Sequence, residues 1–164
     1  MTNEQINYLQ DTLEHKALVL LECFKLYKWL IEKDELDIAE KLAKSCMLHD
    51  NSKITILEYE KMSLIPTIAN ITPMIDPESL PTKETKEILK IHWLNNRHHP
   101  EHFKNANDMK KEDIAEMVCD WAARSKQYNT NLLDFAKKRL ENRFSYFNEQ
   151  NKKLILEYCE VLSR

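Results

Sequence analysis

The sequence predicts an all-α protein, a single-domain bundle of about six to seven helices over residues 1–164. The chain contains no glycine, the residue that most tight hairpins and left-handed helix caps use. Apolar residues recur at helical spacing in long segments, and polar or proline-containing stretches separate these segments. With 164 residues the chain can bury one hydrophobic core, so we expect one domain.

The composition also excludes several functional classes. Without glycine the chain cannot form a Walker loop or a dinucleotide-binding fingerprint. A net charge of -3 provides no broad basic field, so we expect no nucleic-acid partner. The most apolar run, Ala17 to Ile31, is interrupted by Glu22, Lys25 and Lys28, so we expect no membrane partner. The four cysteines form no C-x-x-C pair, which favours reduced thiols in a cytoplasmic protein.

The first predicted helix runs from about Asn3 to Glu32, and Thr2 can cap its start. An apolar stripe follows it at helical spacing, formed by Ile6, Leu9, Leu13, Ala17, Leu20, Phe24, Tyr27 and Ile31. A second set of residues, which includes His15 and Val19, lies to one side of this stripe. We therefore expect the helix to contact neighbours on two faces.

Two shorter helices and a long connection are predicted next. A helix from about Glu35 to Leu48 would place six residues inward, namely Leu36, Ile38, Ala39, Leu42, Ala43 and Cys46. A further helix is expected from about Ile54 to Leu64. Four prolines then break regular structure between Ile65 and Pro81. That connection is long for a compact domain, but its apolar residues indicate that it packs against the bundle.

The remaining helices follow at shorter intervals. One starts at Thr82 or Thr85 and ends near Asn95. Three others are expected at about Lys111 to Gln127, Asn131 to Phe147 and Glu149 to Leu162.

The pair His49-Asp50, at the expected end of the second helix, is the centre of the functional interpretation. It places an imidazole and a carboxylate within reach of one metal ion, and hydrolytic metal sites use these ligand types. Other candidate ligands are His15 upstream and His92, His98, His99 and Asp120 downstream. A divalent ion with one open position lowers the pKa of bound water, which can then attack phosphorus, and a second ion would stabilise the leaving oxygen.

Two further residues are candidates for catalysis. Lys53 is a compact cation that suits a phosphate oxygen. Glu116 shares a helix face with Asp120 and can orient the attacking water or relay a proton. Each residue has a plainer explanation when taken singly, as a core histidine, a salt bridge or a solvated carboxylate. The ordered set on an all-helical chain favours the metal site.

This set resembles the HD-domain superfamily of metal-dependent phosphohydrolases. The matching residues are His15, the pair His49-Asp50 with Lys53 three residues on, and Asp120 in a later helix. In that superfamily a histidine, a His-Asp pair and a distal aspartate bind the first metal inside a helical bundle. Members with two metals add histidines between the pair and the last aspartate, the interval in which His92, His98 and His99 lie.

Longer motifs are similar to an uncharacterised bacterial and phage family with an HD-like pattern, over about Glu14 to Ser125. These motifs are His49-Asp50-x-Ser52-Lys53, Asn96-x-His98-His99-Pro100-Glu101-His102-Phe103 and Glu116-Met117-x-x-Asp120-Trp121. One departure concerns Ser52. The superfamily often has a small residue such as glycine at this position.

The resemblance implies an HD-domain-like bundle with one or two divalent ions (Mn, Co, Fe, Mg, Ni or Zn). The main ion would be held by His15, His49, Asp50 and Asp120. A second ion or the substrate would be bound by His98 and His99, with His92 as a further candidate. His102 lies close by in sequence, and the four histidines cannot all ligate one ion. Arg97 and Arg124 are candidate phosphate contacts.

Three functions follow from this interpretation. The first is a metal-dependent phosphohydrolase that acts on a small phosphate ester, with a nucleotide as the expected class. The second is an HD-fold di-iron oxygenase, because histidines and carboxylates suit iron as well as manganese. The third is a non-enzymatic helical binding protein of phage origin. The expected partners are a small phosphorylated substrate and, as an alternative to a monomer, a second copy of the chain in a homodimer.

Overall fold

The computed structural model describes residues 1–55, 58–60 and 83–164. The helices with described bounds are α1 (Asn3–Glu32), α2 (Leu36–Leu48), α3 (Lys83–Asn95), α4 (Lys111–Gln127), α5 (Leu132–Glu141) and α6 (Glu149–Leu162). Short 3-10 turns lie at Asn51–Ile54, Pro100–His102 and Ala106–Asp108. No strand occurs in these three ranges, which confirms the all-α fold class.

The predicted third helix and the long connection fall largely outside the described residues. Ile54, the predicted start of that helix, lies in a 3-10 turn, and residues 58–60 are helical. The connection from Ile65 to Pro81 lies wholly outside the described ranges. The next helix, α3, begins at Lys83, between the two predicted starting points.

Helix α4 is the centre of the bundle and packs against α1, α2 and α6. The carboxylate of Asp113 accepts a hydrogen bond from the Lys110 backbone N–H at 3.0 Å and so caps the first turn. From Asp113 to Ala123 every side chain is buried, whichever way it points. A helix that is buried on all sides must satisfy any charge it carries. Glu116 and Asp120 are two such buried carboxylates.

The buried face of α1 is not the apolar stripe that dominates its sequence. The buried residues are Tyr8, Thr12, His15, Val19, Glu22, Cys23, Leu26 and Leu30. Most of the stripe predicted from periodicity, including Leu13 and Phe24, is exposed. Only one of the two expected contact faces is therefore covered within the described part of the chain. The covered face contains His15, whose Nε2 lies 2.9 Å from Asp120 Oδ1, and Glu22, which pairs with Lys25 and Lys126.

Two details of the predicted helices differ from the structure. Leu36 is exposed, because it is the first residue of α2 and lies beyond the edge of the core that Ala39 and Leu42 enter. Helix α5 ends at Glu141 and does not continue to Phe147. The Asn142 side chain donates a hydrogen bond to the Lys138 carbonyl at 2.7 Å and competes with continued helix. The chain then turns, and Phe144 stacks on Trp121 with ring centroids 5.8 Å apart.

All four cysteines are buried free thiols, which agrees with the reduced thiols that the sequence predicts. Among the residues the structure describes, no helix combines the length and the apolar character that crossing a bilayer requires.

Candidate metal centre

An unusual backbone path carries His49 and Asp50 into the interior. Helix α2 ends at Leu48, and His49 is extended with φ -48° and ψ 128°. Asp50 is left-handed, with φ 53° and ψ 20°, and the 3-10 turn starts directly after it. Aspartate tolerates this conformation better than most non-glycine residues. The change of direction lets two consecutive side chains both be buried.

Two groups of candidate ligand atoms share Asp50, and a third consists of His49, His98 and Glu116. In the first group, the ligand atoms of His15, His49 and Asp50 lie within 4.8 Å of one another. The second group satisfies the same criterion and consists of Asp50, His92, His98 and His99. Asp120 adjoins the first group, because its Oδ1 is 2.9 Å from His15 Nε2. The structure thus brings together all seven predicted metal ligands.

Asp50 contributes one carboxylate oxygen to each group. Its Oδ2 is 3.5 Å from His49 Nε2. Its Oδ1 is 3.4 Å from His92 Nε2 and 3.6 Å from His98 Nε2. If each group held an ion, Asp50 would be the residue that both ions share.

Several atoms at this centre lack hydrogen bonds although they are buried. They are Nε2 of His49 and His98 and Oδ1 of Asp50. Buried polar atoms are normally hydrogen-bonded, so a cluster of unpaired ones needs an explanation. Donor atoms about 2.0–2.2 Å from a common ion approach each other to roughly 3–3.5 Å. The separations around Asp50 and His15 are close to this range, so the residues fit a metal centre.

Glu116 orients one histidine of each group. Its Oε1 lies 3.0 Å from His49 Nδ1 and 3.2 Å from His98 Nδ1. Because a carboxylate oxygen only accepts, each Nδ1 is a donor, and each Nε2 points away from Glu116 toward Asp50. Glu116 therefore lies behind the two imidazoles. This position favours a role in holding the rings over the predicted role in activating water.

Of the three remaining histidines, His92 and His15 have equivalent partners, whereas His99 Nε2 lies 3.0 Å from His92 Nε2. His92 Nδ1 is 3.1 Å from Glu58 Oε2, and His15 Nδ1 is 3.1 Å from Gln127 Oε1. The Nε2 atom of each ring consequently points into the centre. Glu58 and Gln127 were not singled out by the sequence analysis, since carboxylates and amides are common on helices and no spacing distinguishes these two.

Burial and neighbouring charges set the protonation of the centre. Burial lowers the pKa of His15 to about 4, which leaves a neutral imidazole at pH 7. Burial also lowers the pKa of His92. Burial opposes protonation of His98 as well, but Glu116 and Asp50 outweigh it and raise the pKa of His98 to about 9. Without metal, His98 is therefore a cation at neutral pH, the kind of charge that a bound metal ion replaces.

The carboxylates of the centre remain ionised despite their burial. Burial alone would raise the pKa of Asp50, but Lys53 and the surrounding histidines hold it well below its usual range. The Lys53 ammonium lies 2.5 Å from Asp50 Oδ2. Burial is likewise outweighed at Glu116, where hydrogen bonds from His49 and His98 lower the pKa to about 2.

The centre is least covered at one edge. His99 is only partly buried, and the side chains of Asp120 and Lys53 are each 12% exposed. The other ligands of the two groups are buried. Among the described residues of the centre, Lys53, Asp120 and His99 are therefore the least covered.

Three other predicted residues lie outside the two groups. Arg97 makes two hydrogen bonds to the Asp113 carboxylate, at 3.0 Å and 2.9 Å, so its guanidinium is engaged at the start of α4. His102 lies with its Nδ1 2.9 Å from the Leu94 carbonyl oxygen. Arg124 donates to Gln127 Oε1 at 3.0 Å and thus supports the amide that holds His15.

Ser52 and Asn96 support the second group from behind. Asn96 Nδ2 donates to Ser52 Oγ at 2.7 Å, and Ser52 Oγ donates to Glu58 Oε2 at 2.9 Å. Glu58 in turn holds His92. Ser52, at the position where the superfamily often has glycine, therefore adds a hydrogen-bonding link and leaves the pair His49-Asp50 in position.

Comparison with known proteins identifies the family of the chain. A family model described as a family of unknown function, DUF5662, matches residues 4–163. The protein belongs to DUF5662. No curated protein and no solved structure gives a significant match. The matched region of this DUF5662 protein contains both ligand groups and the residues that orient them.

Proposed function

We propose that this DUF5662 protein is a metal-dependent phosphohydrolase that holds two divalent ions side by side. The substrate is a small phosphate ester, and nucleotides are the first class to test. The position of Asp50 carries this proposal, because each of its oxygens faces a different set of imidazoles. Paired ions about 3.5–4 Å apart are a recurrent arrangement in phosphoryl transfer.

The division of ligands follows from the two groups. His15, His49, Asp50 and Asp120 would hold one ion. The other ion would be held by Asp50, His92, His98 and His99. Imidazole and carboxylate ligands suit manganese, iron, cobalt, nickel or zinc. Bound at this centre, such ions supply Lewis acidity and make water a nucleophile near neutral pH.

The chain itself contributes substrate binding and orientation. Lys53 lies at the accessible edge, and its ammonium can bind a phosphate oxygen while it neutralises Asp50. Glu116 fixes His49 and His98, and Gln127 fixes His15. These contacts direct Nε2 of His15, His49 and His98 inward before substrate arrives, which avoids reorganisation during the reaction.

The resemblance to the HD-domain superfamily supports the same proposal. Its order of ligands, a histidine, a His-Asp pair, intervening histidines and a distal aspartate, is the order found here. The di-iron oxygenase remains the alternative, because the same ligands suit iron.

Metal content and phosphate release test the proposal directly. We expect the purified protein to bind close to two ions per chain and to release phosphate from one or more members of a nucleotide panel. His49→Ala should remove both properties, because it deletes a ligand that Glu116 holds in place. His102→Ala is the matched control, since that histidine lies outside both groups.

Three results would contradict the hydrolase. One is a metal-loaded protein that stays inert toward the whole panel with manganese, cobalt, iron and magnesium. Another is oxygen consumption by the iron-loaded form without phosphate release, which would favour the oxygenase. A third is a fully saturated coordination shell by X-ray absorption, which would favour a structural metal in a binding protein.

Glu58→Ala should weaken one of the two ions selectively. Glu58 contacts His92, a ligand of the second group only. Loss of such an orienting carboxylate typically costs about 10–100-fold in metal affinity. We expect titration of the metal-free protein to show one site unchanged and the other weakened by that factor. Glu60→Ala, at an exposed position two residues on, is the control. Equal weakening of both sites would contradict the division into two groups.

A further inference from the structure

The outward face of α1 carries a regular apolar pattern, which we call the α1 seam. Its members are Ile6, Gln10, Leu13, Ala17, Leu20, Phe24, Tyr27 and Ile31. The intervals between them alternate strictly between four and three residues. This is the heptad spacing of a coiled coil, sustained over nearly four heptads. The buried face has the same spacing from Tyr8 to Leu26 but includes the polar residues Thr12, His15 and Glu22.

The α1 seam is exposed in the described structure. The relative exposures of its large apolar members are Ile6 41%, Leu13 52%, Leu20 37%, Phe24 59% and Ile31 41%. Leu21, which borders the seam, is 60% exposed. Gln10 is polar and Tyr27 is half-buried against the core, but the other members form an exposed apolar row. Isolated apolar residues on a surface need no explanation, whereas a row along one helix indicates an interaction surface. From Ile6 to Ile31 the row is about 38 Å long.

We propose that the α1 seam is an interface between two copies of this chain, with the two α1 helices antiparallel. An antiparallel pair that sets Ile6 against the partner's Ile31 also sets Leu13 against the partner's Phe24. The same register sets Ala17 against the partner's Leu20. Every position of the seam then meets another position of the seam about one two-fold axis, as a closed symmetric dimer requires.

Residue size and charge support this arrangement. The small Ala17 lies opposite the larger Leu20, which lets the helices approach at the centre of the dimer. Glu14 and Lys28 border the seam on the same side, in opposite halves of α1. The Lys28 ammonium lies 4.7 Å from the centroid of the Phe24 ring, so its charge is held at the seam. In the antiparallel register the partner's Lys28 lies about 7.5 Å along the axis from the position opposite Glu14, whereas parallel pairing aligns like charges.

The proposed interface is independent of the metal centre. His15 is the member of α1 that enters the centre, and it lies on the buried face of the helix. The α1 seam lies on the other side, so the dimer neither supplies nor covers a ligand. This inference therefore does not rest on the proposed phosphohydrolase activity.

The mass of the full chain in solution tests the dimer. We expect sedimentation or light scattering to show a wild-type dimer at about 1–100 μM, the order of concentration at which an interface of ordinary size holds two chains together. Leu13→Glu would bury a carboxylate without a partner in each half of the dimer, and should weaken dimerisation by about 100-fold or more. Leu94→Glu is the control, because Leu94 is 62% exposed on α3 and outside the seam. Circular dichroism should show equal helix content in all three proteins.

A distance measurement tests the orientation. A spin label on Asn3→Cys, at the start of α1, should give a label separation of about 45 Å in the antiparallel dimer. A parallel pair would give a separation below about 20 Å. The native cysteines are all buried, so a brief reaction labels the added thiol. A monomeric wild type, an undiminished Leu13→Glu dimer or a short label distance would each overturn the proposal.

Discussion

Asp50→Asn is expected to remove both metal ions and to abolish phosphate release. Each oxygen of Asp50 faces one ligand group, so the substitution affects both ions at once. The amide keeps only one acceptor oxygen, and its NH2 group would point donors at the opposite set of ligands. We expect less than about a tenth of the wild-type metal content. We also expect kcat/KM to fall on the order of 10³-fold or more, which corresponds to about 4 kcal/mol.

The fold should tolerate this substitution. Asparagine adopts the left-handed conformation about as readily as aspartate, so the backbone at φ 53° is preserved. Asp34→Asn provides the matched control, because Asp34 is also left-handed, with φ 59°, and is exposed. Elemental analysis and a phosphate assay on the wild type, Asp50→Asn and Asp34→Asn test this prediction. An Asp50→Asn protein that keeps two ions would refute the bridging role.

Glu116→Ala should have the next largest effect and should weaken both ions. The Glu116 carboxylate holds His49 of the first group and His98 of the second, through the same oxygen. Without that acceptor the two rings lose their fixed tautomer and orientation, which costs about 10–100-fold in affinity at each ion. Glu116→Gln should lose less, because an amide oxygen can still accept from both Nδ1 atoms.

Chelator competition separates positioning from catalysis at this residue. A positioning role predicts that metal affinity is highest in the wild type, lower in Glu116→Gln and lowest in Glu116→Ala. Activity should then be restored at high metal concentration. Glu112→Ala, one turn earlier on α4 and partly exposed, should behave as wild type. If Glu116→Gln bound both ions normally but lost its activity, the role in activating water predicted from the sequence would be supported.

The sequence singled out the seven residues that meet at the candidate centre but not the residues that orient them. Histidines are rare enough that the order from His15 through His49 to His98 stands out along the chain. Glu58 and Gln127 are common residue types, and only their burial against an imidazole gives them a role. The same limit applies to Glu116, which the spacing placed beside Asp120 without showing that it lies behind the rings.

Periodicity predicted the length of α1 and its two faces but could not tell which face is inside. The buried face is the less apolar one, because it includes Thr12, His15 and Glu22. The more apolar face is outside. The end of α5 was missed for a similar reason. Asn142 competes for a backbone carbonyl, and Phe144 is drawn to Trp121, and neither effect appears in the local pattern.

The single oxygen that Glu116 shares between His49 and His98 links the two ligand groups mechanically. A shift of either ring changes the hydrogen bond available to the other. A change in the radius of the ion held by one ligand group would therefore alter the metal preference of the other group. The two ions should consequently be selected together and not independently.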